Sequence, residues 1–315
     1  MSSRLFTDAE LAALAEPPRA RLVRHLAEAR DDDAAADAFE RTAFEFDRAH
    51  RGSVDGYSAW LAATVRHVLE TEPADAAALF DELRRFDAVY PGTVVDLATG
   101  PTTAPAAVAA VARRGDGAAA LAAWDELTHE WRVRNDLGRD LVSFVLSFVY
   151  RRHGPDGLEA AIRRGGTDTL VGFLATDIAR APEKRLLSTT RMLHGHFTAF
   201  TVTEDDEKFT IHQDPCGTCT TQLADGRYAP PLDLAIVREV HPVTGGRGDT
   251  PVYRTHIPVM HVLMARERIG VPWPLPMCPA GTSTGPCPSH IFKDPLDPRG
   301  NEVCDGPDGW DVSPG

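Results

Sequence analysis

All five cysteines of the 315-residue chain lie between Cys216 and Cys304, and the sharpest chemical signal is the first pair, in Asp214-Pro215-Cys216-Gly217-Thr218-Cys219. Two thiolates separated by two residues can chelate one tetrahedral ion, and the glycine between them permits the tight turn that aims both sulfurs at it. A structural zinc takes about four protein ligands, and a catalytic zinc about three plus an open position. The pair therefore needs partners. Those available downstream are His256, His261, Cys278, Cys287, His290 and Cys304. Thr255-His256-Ile257-Pro258 reads as a strand end, and Gly285-Pro286-Cys287-Pro288-Ser289-His290 as a rigid loop that presents a side chain. The predicted ligand set is Cys216, Cys219, His256 and Cys287, with Cys278 and His261 as replacements. Cys304 reads instead as a small buried hydrophobe, and His261 and His290 otherwise as ordinary hydrogen-bonded histidines. Thiolate softness favours zinc, with iron as the alternative and copper(I) also compatible with a mixed Cys/His set.

Other groups could act at such a centre. Asp214 and His212 are the nearest candidates for proton transfer. His194-Gly195-His196 would place two imidazoles on one face of an extended chain, a spacing metal sites use. Arg191 could hold an anion or cap the preceding helix, and Asp136, His129 and Glu130 read as a solvated helix start. Cys-Gly-Thr-Cys also has the spacing of a redox dithiol. That reading needs a helix directly after the motif, and Thr220 to Gly226 is short and soon broken. No Gly-x-Ser-x-Gly elbow, phosphate loop or His-Glu-x-x-His helix occurs, and Arg247-Gly248-Asp249 is an ordinary loop tripeptide.

These residues carry a resemblance. Arg191 to His196, Glu204 to Lys208, Asp214 to Gly217, Tyr253 to His256 and Cys287 to Asp294 resemble a poorly characterised bacterial family of helical proteins with a C-terminal Asp-Pro-Cys-Gly / His / Cys metal-binding module. The similarity spans about residues 190 to 295. It implies Cys216, His256 and Cys287 as recurring members of a metal site. The chain departs from the pattern at Cys219, where the family usually has Gly, and at Arg254 and Ile257, where it has cysteines. Cys219 then reads as a local substitute for a lost thiol. The resemblance implies no particular activity.

The elements that must position these groups divide at about residue 190. From residue 7 to 190 apolar residues recur every three and four positions, which predicts helices. Val54, Tyr57, Leu61, Val65 and Val68 fall on one stripe, with Ser53 as its expected N-cap. Shifted by 81 residues, the unit at 54–83 resembles that at 135–164 in apolar spacing, each copy broken once, at Glu72-Pro73 and at Gly154-Pro155. Two related helical hairpins pairing into a bundle are expected, joined through 98–120 by a weak helix. After Met192 the period becomes 2. Phe197 to Thr203 and Lys208 to Gln213 predict a hairpin across the acidic turn Glu204 to Glu207, pairing Val202 with Phe209 and Phe200 with Ile211. Further strands are expected at Ala235–Val240 and Val252–Ile257, and an irregular wrap or loose tail at the end. The predicted class is α+β: a helical bundle over 1–190, then a small antiparallel sheet domain with a Cys/His metal site over 191–315.

A formal net charge of −13, with arginines interleaved among acidic residues, argues against nucleic acid and against an anionic membrane surface. No apolar run of about 18 residues occurs, and the opening MSSRLFTDAELAAL has no basic-then-apolar leader pattern, so a cytoplasmic location is expected. Cysteines confined to one third of the chain suit metal ligation or catalysis in a reducing compartment better than a disulfide framework. Three functions fit: a metalloenzyme of hydrolase or lyase type on a small molecule, a binding or scaffold protein with a structural zinc, and a thiol redox protein using Cys216 and Cys219. Composition does not decide among them, nor does it fix the oligomeric state.

Overall fold

The computed structural model describes residues 4–92, 97–306 and 309–312. Eight helices come first among these: α1 (Asp8–Ala15), α2 (Pro18–Glu28), α3 (Asp32–Thr71), α4 (Ala76–Val89), α5 (Pro105–Ala112), α6 (Gly117–Asp168), α7 (Leu170–Ile178) and α8 (Pro182–Gly195). Their starts follow from local chemistry. Asp31 and Asp116 accept from the backbone N–H of Ala34 and Ala119, and proline opens α2, α5 and α8. The two long helices α3 and α6 pack on each other, with α5 closing one side of the pair. Along α3, Phe39, Ala43, Phe46, His50, Val54, Tyr57, Trp60, Thr64 and Val68 are buried at helical spacing.

Both long helices break where the repeat places a break. α3 ends at Thr71 before Pro73, and α6 is interrupted at Gly154, whose φ of 66° only glycine adopts without strain. The breaks touch: Asp75 accepts from Arg152, and its carboxylate lies 3.1 Å from His153 Nε2. Ser53 is a correction, because α3 runs straight through it. Its hydroxyl donates instead to the Ala49 carbonyl at 3.2 Å.

The remainder is β-rich and irregular, so the α+β class holds. β1 (Phe200–Glu204), β2 (Lys208–Gln213), β5 (Leu275–Pro276) and β6 (Cys287–Phe292) form an antiparallel sheet in the order β1-β2-β6-β5. β3 (Ile236–Val237) pairs with β4 (Thr250–Pro251) in a separate ribbon. The hairpin register differs from expectation by two residues: Val202 faces Ile211 and Phe200 faces Gln213. Glu204 belongs to the strand, which shortens the turn, and a two-residue slip preserves the alternation. Val252–Ile257 is not a strand. It forms a 3₁₀ turn at Val252–Thr255 that leads into a π-helix, Ile257–Met264, opened by Pro258. The short helices α9 (Cys219–Ala224), α10 (Ala265–Ile269) and α11 (Arg299–Cys304) complete the chain.

One hydrophobic cluster joins both parts: Tyr57 and Trp60 of α3, Val142 and Leu146 of α6, Phe209 and Ile211 of β2, Val259 and Met260 of the π-helix. Burying each such large side chain is worth about 1.5–3 kcal/mol, so the sheet is anchored on the bundle rather than tethered to it. The tail wraps back, with Trp310 buried and its indole N–H donating to the Pro276 carbonyl at 2.9 Å. Among the described residues no helix is long and apolar enough to cross a membrane.

Candidate active site at a thiol cluster

Four of the five cysteines meet. Cys216 bonds to Cys219, Cys219 to Cys278, and Cys278 Sγ lies 3.0 Å from Cys287 Sγ. All four are buried and none is in a disulfide, while Cys304 is buried elsewhere, in α11.

Each sulfur arrives for a local reason. Cys216 follows the cis Asp214–Pro215 bond at the end of β2, and its carbonyl accepts from the N–H of Thr221 in the turn that starts α9. The turn lies against the end of α8 so closely that a Cβ on Gly217 would stand 1.8 Å from the His196 carbonyl oxygen and 2.7 Å from the Phe197 carbonyl carbon. Only glycine fits there. Gly217 N–H donates to Thr198 Oγ1 at 3.0 Å. Beneath the turn is Arg139 of α6, fully buried, aimed at the carbonyls of Gly217 and Thr218 at 3.4 and 3.5 Å. Asp136 and Asp140 each hold that guanidinium at 3.0 Å, and Gln222 of α9 donates to Asp140 at 2.9 Å. Burial opposes the Arg139 charge, but the two aspartates overcome it and raise its pKa. Cys278 and Cys287 flank the loop between β5 and β6.

Arg254 ties the two halves of the cluster. It is 1% exposed, donates to the carbonyls of Pro279 and Gly281 at 2.6 Å and Ser283 at 3.0 Å, and also bonds Cys219. Donation from the Cys216 thiol, then from Cys278, with Arg254 adding its charge, holds the Cys219 thiol well below the usual thiol range. Cys216 and Cys278 are pushed up, first by their hydrogen bonds to Cys219 and then by burial in the case of Cys216 and by Cys287 in the case of Cys278. These hydrogen bonds and the Arg254 charge favour ionisation at Cys219 over the neighbouring thiols.

The cluster forms part of the wall of a cavity of 710 Å³. Tyr57 and Trp60 of α3, Leu170 and Phe173 of α7, Met192 of α8, and Ile257 and Met260 of the π-helix make its apolar sides. Three imidazoles face it. His256 Nδ1–H donates to the Tyr253 carbonyl at 2.5 Å, leaving Nε2 as an acceptor, and its ring centre is 5.7 Å from that of His261. His261 is driven down to about 3 by burial and then by His256, and His196 to about 4 by burial, then by His256 and Arg139. Tyr253 Oη donates to Tyr57 Oη at 3.4 Å, and Tyr57 Oη lies 3.2 Å from His196 Nδ1.

Of the expected ligands, Cys216, Cys219 and Cys287 come together, and the fourth sulfur in contact is Cys278. His256 stands at the cavity wall, close enough to Cys219 to feel its charge. His212 and Asp214, the expected proton-transfer groups, lie outside the cavity. Alternation along β2 aims His212 outward, 3.3 Å from Thr203 Oγ1, and turns Gln213 inward to donate to Ser289 Oγ at 2.7 Å. Asp214 is exposed. His194 and His196 belong to the end of α8 rather than to a strand, and His194 bonds the Leu14 carbonyl at 3.0 Å. Among the described residues no three His, Cys, Asp or Glu side chains stand around a common point as a metal ion requires. The sulfurs are in contact with one another instead. In a tetrahedron with Zn–S of about 2.3 Å they would be roughly 3.8 Å apart, wider than the 3.0 Å seen between Cys278 and Cys287.

Sequence reasoning took Tyr57 only as a core position and Arg254 only as a departure from a family pattern, and passed over Trp60 and Met260. Cys278 had a usable signal: it and Cys287 bracket the Pro/Gly loop at 279–286, as the arms of a hairpin do. No family model, no curated protein and no solved structure matches this chain.

Proposed function

We propose that the chain is a metal-dependent enzyme acting on a small molecule, with one soft ion, zinc or alternatively iron, held by Cys216, Cys219, Cys278 and Cys287. The observation that carries this reading is the meeting of four buried thiols on the wall of an apolar cavity. Four thiols linked in a chain of contacts make poor use of a core position, whereas deprotonated they are the ligands a soft ion takes; Cys278 and Cys287, 3.0 Å apart, would separate by roughly 0.8 Å to share one. Arg254 beside Cys219 offsets part of the charge of a thiolate-rich site. Those four sulfurs would hold the ion at the cavity wall, where it would supply Lewis acidity toward a substrate donor or a bound water. His256 Nε2, a bare acceptor at the same wall, is the nearest group for proton transfer. The expected His212 and Asp214 have no access to it.

A closed four-sulfur shell would instead make the ion structural, a reading favoured by the presence of a fourth thiol. Cobalt(II) reconstitution separates the two. A catalytic site gives thiolate-to-cobalt absorption whose d–d bands shift when imidazole or a small thiol is added; a structural site gives bands that no added ligand moves. Absence of any thiolate-to-cobalt band rejects the metal reading and leaves the thiolate at Cys219 as a redox group.

A further inference from the structure

The cavity's lining sorts by depth, and the sorting specifies a class of ligand. Arg48, Asp55 and Arg191, the charged side chains that line it, are all exposed and belong to its rim. Further in, the sides are aromatic, aliphatic and thioether. The floor holds thiols, imidazoles, and the amide and hydroxyl of Gln213 and Ser289. The rim itself carries large apolar groups: Phe173 is 66% exposed and Met192 42% exposed, both at the opening. Exposed apolar side chains at a cavity mouth mark a path for an apolar molecule.

We infer that the cavity binds a hydrophobic small molecule, an aliphatic or aromatic body with one uncharged or thiol head, inserted head first between Phe173 and Met192 until the head meets the thiol and imidazole floor. The one floor group whose ionisation is favoured, Cys219, already has Arg254 as its counter-charge, so a carboxylate or ammonium head would find no free partner there, and desolvating an unpaired ion costs far more than desolvating a hydroxyl or thiol. A volume of 710 Å³ accommodates an eight-carbon chain with room to spare and lies within the usual range for drug-sized ligands. The class of head rests on the proposal that the floor is the functional end. The preference for an apolar body rests on the walls alone.

The test uses the full chain as purified, titrated calorimetrically at pH 7.5 with octan-1-ol, octane-1-thiol, octanoate and octylamine. The alcohol and the thiol are expected to bind at least tenfold more tightly than the acid and the amine. Phe173→Asp alters an exposed position that folding does not need, and is expected to weaken octan-1-ol at least fivefold. Met260→Trp, checked for fold by circular dichroism, narrows the cavity and is expected to weaken octan-1-ol at least fivefold. Octanoate or octylamine matching the alcohol overturns the inference, as does undetectable binding of the alcohol or indifference to Phe173→Asp. Repeating the titrations on chelator-treated protein keeps the two claims apart. A tenfold preference for octan-1-ol in protein that never held metal supports the ligand class while rejecting the metal, and a thiol advantage lost on chelation supports both.

Discussion

The Cys278 and Cys287 sulfurs lie 3.0 Å apart although nine positions separate them in the chain. They are brought together by the β5–β6 turn, and the turn is held by Arg254 through three carbonyls of the 279–283 loop. The same guanidinium bonds Cys219, so one side chain positions three of the four thiols.

Arg254→Met is therefore expected to act at a distance. The thiolate at Cys219 loses its cation and the loop its donors, at a cost of about 3–5 kcal/mol as for a broken buried ion pair. Urea unfolding checks the stability, and the alkylation rate of the folded protein by iodoacetamide checks the thiolate. Arg254→Lys restores charge without the fork and is expected to recover part of both. Wild-type values for both readouts in Arg254→Met contradict the bracing role.

Gly217→Ala introduces a methyl group where the His196 carbonyl oxygen would stand 1.8 Å away. Both opposing groups are backbone, so neither can rotate aside. The expected loss is about 1–3 kcal/mol, with the Cys216–Cys219 turn pushed off α8 and metal content falling with it. A Tm equal to wild type refutes the close approach.

Asp140→Asn removes one of the two carboxylates that hold the buried Arg139. Arg227 also reaches Asp140, at 3.1 Å. Leaving two guanidiniums short of a counter-charge is expected to cost about 3–5 kcal/mol. The double variant Asp140→Asn, Arg139→Met is expected to recover part of that loss, and additive losses in the double-mutant cycle would show that the pair does not interact.

Stability is expected to fall on acidification because of His50. Its ring is enclosed by Phe46, Trp131 and Phe197. Burial, then the neighbouring His196, lowers its pKa to about 3, with Arg132 and His194 adding to the shift. The unfolded chain takes up a proton below its ordinary value of 6.5 and the folded chain does not. The stabilising contribution is whole above pH 6.5 and drains away as pH falls towards 3, at no more than about 1.4 kcal/mol per pH unit. His50→Phe is expected to flatten the dependence of Tm on pH between 6 and 4, leaving the share due to His196 and His261. An unchanged slope contradicts the assignment.

The sequence was most legible where one periodicity acted alone. Helical spacing on α3 and α6, one break in each copy of the 81-residue repeat, and the alternation in β2 all follow from local pattern. The run Ile257 to Met264 misled because a continuous apolar stretch carries no period: buried on all sides, it is compatible with strand or helix, and Pro258 decided for a helix. His194 and His196 were read as strand residues for the related reason that α8 persists past Met192. The ligand candidates were found by residue type, since thiols are few. The cavity was not, because its walls come from α3, α7, α8 and the π-helix, and no local signal records which faces of distant elements will meet. His212 failed by parity: the alternation that placed Phe209 and Ile211 in the core had already turned His212 away from it.

The central claim is that the four thiols hold one soft ion, and elemental analysis by inductively coupled plasma mass spectrometry tests it most directly, on protein purified without chelator beside Cys216→Ser and Cys278→Ser. About one zinc or iron per chain is expected, lost in both variants while circular dichroism shows the helices intact. No metal in the wild type, or full occupancy in both variants, contradicts the account.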